Sequence, residues 1–175
     1  MQPPRQVNQT MVGLAVVLLG IGGCGLGATV PRDQAVVLEP GEGMMVVAVE
    51  TNLHLNVTFC RDADFIQCVD LPAFTADSPV AISRVPVGRY CLGRITAEVA
   101  FGTYGYVEAF SRDSTTCFDV GRAVLSYPGH LVYRDAGDDG LERGWDQRAG
   151  FEKTVRRLYP KLASWRFEVV DTGAP

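Results

Sequence analysis

Two histidines, five cysteines and one acidic segment are the residues whose chemistry would make this chain a catalyst or a metal protein. Acid–base work near neutral pH usually recruits histidine. His54 falls on the polar side of "LHLNVTF" and His130 follows "YPG" at the head of "HLVYR", positions that read as surface or turn. The chain contains no G-x-S-x-G to give either histidine a nucleophile. Cys60, Cys68, Cys91 and Cys117 show no C-x-x-C spacing, so a zinc site would need ligands from distant segments. "DAGDDGLERGWD" gathers Asp135, Asp138, Asp139, Glu142 and Asp146, oxygen ligands suited to calcium or a carboxylate pair suited to glycoside hydrolysis. It lacks EF-hand spacing, and Gly137, Gly140 and Gly144 fit a solvated turn. "AFGTYGYVEAF" offers binding instead, because Phe101, Tyr104 and Tyr106 are separated by glycines that let rings project from a hairpin tip. Aromatics with a polar end are frequent interface anchors. The residues therefore predict no catalytic site, no metal and no bound cofactor, with that tip as the candidate binding surface.

These side chains need a scaffold, and the apolar pattern predicts a β-rich one. "GMMVVAVE" from Gly43 is a continuous β-prone run, read as a strand buried on both faces. In "LHLNVTF", Leu53, Leu55, Val57 and Phe59 alternate with polar residues, as a half-exposed strand requires. "VAISRV", "GRYCLGRITAEVAF", "YGYVEAF", "TTCFDV", "RAVLSY" and "HLVYR" follow, with turn residues near most junctions. Gly93, inside the longest of them, marks a bulge. Near the end, Phe151, Val155 and Leu158 recur at helical spacing, predicting a helix over about 147–159 with Asp146 as N-cap and Arg156 and Arg157 in the last turn. Pro160 stops it, and "WRFEVV" alternates again with Trp165, Phe167 and Val169 on one side. The expected fold is mainly β, an antiparallel β-sandwich with one C-terminal α-helix packed on the sheet.

The first residues carry a different signal. "MQPPRQVNQT" is polar with one positive charge, Arg5, and Met11 to Ile21 is an unbroken apolar stretch of about 11 residues. That is the n-region and h-region pattern of an export signal, too short for a bilayer core that takes roughly 20 helical residues. The run ends in "IGGC", an aliphatic residue and two glycines before Cys24. This resembles the lipobox of bacterial prolipoproteins. The resemblance implies a signal peptide over 1–23, diacylglycerylation of the Cys24 thiol, cleavage before Cys24 and acylation of the new amino group by chains such as palmitate. It also implies the bacterial cell envelope as location, and Gly25, where an aspartate commonly signals inner-membrane retention, favours the outer membrane facing the periplasm. The membrane is then a partner through the lipid, each buried methylene contributing about 0.8 kcal/mol. Residues 24–40, with Pro31, Pro40 and Gly41, read as lipidated terminus and tether, and 41–172 as one domain.

Export bears on the cysteines and the charge. With Cys24 set aside, an even number remains, which in an exported domain reads as disulfides. Three pairings are open; Cys60 with Cys68 and Cys91 with Cys117 are favoured, one closing a short loop and the other joining two strands. Without Arg5, the only charge in residues 1–23, the basic count of 16 becomes 15 against 20 acidic residues, a net charge of −5. Such a surface repels nucleic acid. "VPVGRYCL" resembles the turn and strand of transthyretin-like sandwiches, and "FDVGRAVLSYPGHL" that of small exported β-sandwich lipoproteins of unknown function; both imply a fold and no activity. The expectation is a lipid-anchored, non-enzymatic binding or interaction module with an envelope protein as possible partner. Its rivals are an envelope hydrolase or cation-binding protein using loop 135–146, and a structural subunit of an envelope complex.

Overall fold

The computed structural model describes residues 28–62, 66–98, 106–109, 116–135 and 141–172. Cys24 lies outside them, as do Phe101, Tyr104, Asp138 and Asp139. The described residues are mainly β, with two sheets and one short α-helix among them. In chain order the strands are β1 (Ala28–Thr29), β2 (Glu42–Glu50), β3 (His54–Arg61), β4 (Cys68–Phe74), β5 (Val80–Pro86) and β6 (Gly88–Glu98). After these come β7 (Tyr106–Ala109), β8 (Cys117–Val120), β9 (Val124–Tyr127), β10 (His130–Asp135), β11 (Leu141–Asp146), helix α1 (Phe151–Leu158) and β12 (Arg166–Val169). Among the described residues no helix is long and apolar enough to cross a membrane.

β2 organises the larger sheet because its side chains are apolar in both directions. Met45, Val47 and Val49 join one buried cluster, and Met44, Val46 and Ala48 join another. One edge of β2 pairs antiparallel with β5, whose far edge takes β1. The other edge is shared by β9 along Met44 and Met45 and by β10 along Ala48 to Glu50, both parallel to β2. β12 extends β9 in parallel, and β11 extends β10 in antiparallel. This sheet is therefore mixed, where alternation alone had suggested antiparallel pairing throughout. The reason lies in connectivity: β9 arrives from β8 in the other sheet through Gly121 to Ala123, so no hairpin dictates its direction.

The smaller sheet runs β4, β3, β6, with β7 and β8 sharing the outer edge of β6. Arg94 and Leu92 pair with the adjacent residues Thr58 and Phe59, leaving Gly93 as the extra residue of a bulge. Leu55, Val57 and Phe59 from β3, Ile95 from β6 and Phe118 from β8 share one buried cluster with Met45, Val47, Leu131 and Tyr133 of the larger sheet. Cys60 stands opposite both Cys68 and Cys91, and Cys91 stands opposite Cys117, so the four form one row across β4, β3, β6 and β8. Disulfides join Cys60 to Cys68 and Cys91 to Cys117. Their chain neighbours Phe59, Val69, Leu92 and Phe118 belong to the shared cluster, which puts the cysteine row on the opposite face.

Three segments differ from expectation. Residues 28–38, read as tether, dock on the domain: β1 pairs with β5, the Val30 amide donates to the Ile82 carbonyl at 2.7 Å, and Val36 and Leu38 pack against the buried cluster that includes Val30. The helix begins at Phe151 and spans eight residues, because Gly150 takes the left-handed conformation (φ 77°) as its N-cap. Asp146, expected to be that cap, ends β11 instead and pairs with His130. The second half of the acidic segment is thus strand, since Leu141 and Trp145 stand opposite Asp135 and Leu131 in the β10 ladder.

α1 closes the far side of the larger sheet. Phe151 and Val155, spaced one turn apart, bury against Leu125, Tyr127 and Ile82, with Tyr159 and Leu162 continuing the contact beyond the helix. Trp165 and Phe167 pack there too, whereas Val169 is exposed at the end of the last strand.

Candidate functional site

The site forms where the larger sheet is interrupted. Pro128 has no N–H for a ladder and Gly129 adopts φ 126°, so the chain breaks between β9 and β10 and restarts at His130. A Cβ on Gly129 would approach the Asp146 carbonyl oxygen to 3.1 Å, which favours the smallest residue there. His130 is thereby wedged between Ala48 of β2 and Asp146 of β11 and is only 6% exposed.

Two aromatic rings flank its imidazole. Phe151, the first residue of α1, meets it edge to face with centroids 4.4 Å apart. Tyr127 lies 5.8 Å away and itself stacks at 4.7 Å on Phe151 and at 5.5 Å on Phe167. The Tyr127 hydroxyl is hydrogen-bonded to His130 Nδ1. Burial pushes the Tyr127 phenol well above its usual range, against the pull of a hydrogen bond from the Arg148 backbone, so it stays protonated. Burial likewise lowers His130 below its ordinary value, opposed by the nearby Asp146 carboxylate. The Arg148 backbone already donates to the Tyr127 oxygen, so we assign the hydroxyl proton to His130 Nδ1 as acceptor, the tautomer that carries the ring proton on Nε2.

Beside this ring opens a cavity of about 480 Å³. Val49, Pro79, Val80 and Phe151 supply apolar wall. His130, Thr51, Thr154, Glu50 and Arg148 supply the polar groups. Glu50, the last residue of β2, pairs with both Arg134 and Arg148, and Arg148 Nε also reaches Asp146 at 3.1 Å. Two guanidinium groups and two carboxylates therefore balance at the rim. Thr51 is buried, its hydroxyl accepting from the Leu53 amide at 2.9 Å, and the Asn52 side chain bonds both backbone groups of Asp135. Those contacts pin the turn after β2 to the end of β10 and hold the cavity's floor.

Of the residues singled out by chemistry in the sequence, the structure brings His130 and Asp146 together and leaves His54 exposed at the start of β3. Asp135 ends β10, and Tyr106 and Glu142 have described backbone positions only, in β7 and β11. Among the described residues no group of three or more His, Cys, Asp or Glu side chains is arranged to hold a metal. Sequence reasoning missed Tyr127, Glu50, Arg148 and Phe151 as neighbours of His130. The available signal was Tyr and His three residues apart across Pro-Gly, where both flanking segments are strands of one sheet.

No family model and no curated protein matches the sequence. A leucine-rich repeat protein from Bacteroides thetaiotaomicron aligns with 65% of this chain and 15% of its own length, at 12% identity and a TM-score of 0.36. A likeness that distant carries no argument about this chain.

Proposed function

We propose that this chain is a lipid-anchored bacterial envelope protein whose folded part is a β-sandwich serving as a non-enzymatic binding module. Within that class we assign it to the outer membrane facing the periplasm, on the strength of Gly25 after "IGGC". The cluster shared by the two sheets supports the sandwich, and the row of disulfides supports an oxidising compartment.

The observation that carries the binding role is the cavity at His130. It offers a held donor and apolar wall, as small-molecule sites do. Its histidine is engaged by a phenol that burial keeps protonated, which is a weak nucleophile and a poor relay for general-base work. Replacing Cys24 with Ser tests the anchor. Cells fed labelled palmitate should incorporate it into the wild type and not into Cys24→Ser, which lacks the thiol and keeps residues 1–23. Label in the Ser variant, or none in the wild type, would overturn the lipoprotein reading.

A further inference from the structure

We infer that the cavity between β2, β10 and the start of α1 binds a small uncharged molecule with a carbonyl acceptor on an apolar body, the carbonyl meeting His130 Nε2–H. The inference rests on the binding role proposed above and names its ligand class. His130 lines the cavity, yet it is 6% exposed, and its Nδ1 is taken by Tyr127. Among the described residues nothing takes the Nε2 proton. That ring edge opens on the cavity, so an occupant with an acceptor takes the place of water there, in surroundings that are partly apolar.

The charge balance selects the rest. Glu50 and Arg148 face the cavity already paired to each other, with Arg134 and Asp146 completing the network. An anion would meet the Glu50 carboxylate and compete for an Arg148 that has two carboxylate partners. A cation would meet the Arg148 guanidinium. A neutral carbonyl disturbs neither and leaves the imidazole uncharged. Val49, Pro79, Val80 and Phe151 then cover the apolar part, and a volume of about 480 Å³ accommodates a six-carbon chain with room for water.

The test uses the oxidised full chain and three probes of equal length: hexanamide, hexanoate and hexylammonium. Binding is followed by the NMR signals of the His130 imidazole and the Phe151 ring. Hexanamide should shift both saturably and bind about tenfold more tightly than either charged probe, the scale of one hydrogen bond. His130→Gln, which keeps an N–H donor, should retain more affinity than His130→Leu. Ala149→Trp, at an exposed position of the rim, should block hexanamide without touching the core. Tighter binding of hexanoate or hexylammonium at the same signals would overturn the ligand class and leave the binding role standing. Shifts by no probe, or hexanamide binding undiminished in Ala149→Trp, would overturn the cavity as a site; the lipid anchor is judged separately by Cys24→Ser.

Discussion

Removing one oxygen atom tests whether the Tyr127–His130 pair is organised as argued. Tyr127→Phe keeps the ring, so its stacking on Phe151 at 4.7 Å and on Phe167 at 5.5 Å survives and the buried apolar area is unchanged. What disappears is the donor to His130 Nδ1, inside a residue only 6% exposed, together with the acceptor of the Arg148 backbone bond. An acceptor stranded in that setting costs about 1–3 kcal/mol, more than the net worth of an ordinary hydrogen bond. For a folded unit of this size that corresponds to a drop of about 3–10 °C in Tm. Urea unfolding of the oxidised protein measures it directly. A double-mutant cycle with His130→Leu sharpens the test, because with both polar partners gone neither is orphaned, and the double variant should lose about 1 kcal/mol less than the sum of the singles. A Tyr127→Phe variant within about 0.5 kcal/mol of wild type, with additive singles, would refute the buried pair, since that is the scale of a neutral surface change.

Burial holds His130 below its ordinary 6.5, so above that pH both folded and unfolded chains carry it neutral and stability is full. As pH falls from there through the folded value, the unfolded chain takes the proton first and stability drops. Urea midpoints at about pH 7.5 and about pH 5.5 should therefore differ more in wild type than in His130→Leu, which retains His54 and the carboxylates but not this group. For the disulfides, a sequence separation of 26 between Cys91 and Cys117 against 8 between Cys60 and Cys68 sets the chain-entropy contributions at about 3.5 and about 2.5 kcal/mol. Replacing Cys91 and Cys117 together by Ser should thus lower stability more than replacing Cys60 and Cys68, as read by thermal unfolding.

The strands that showed themselves in the sequence are those whose surroundings differ by face. β3 alternates because Leu55, Val57 and Phe59 meet the shared cluster while His54 is exposed, and β2 is uniformly apolar because both of its faces are buried. The strands that hid are set by tertiary pairing rather than by their own pattern. β4 contains Pro72, β1 is two residues long, and β11 carries Glu142, Arg143 and Asp146 in a run that reads as acidic loop; each is fixed by the partner it lies against. The candidate site was hidden for the same reason. His130 looked like a turn residue because Pro128 and Gly129 precede it, and nothing local tells that β2, β11 and α1 close around it. Asp146 reads as a helix cap because an acid stands just before the helical periodicity, whereas Gly150 takes that role through a positive φ that a side chain would resist.

The anchored, exported state is read most directly from one spectrum: the intact mass of the native protein extracted from membranes without reductant. A lipidated, oxidised protein gives a chain beginning at Cys24, heavier by its acyl groups and lighter by about four hydrogens for two disulfides. A full-length, unmodified chain with free thiols would contradict that state.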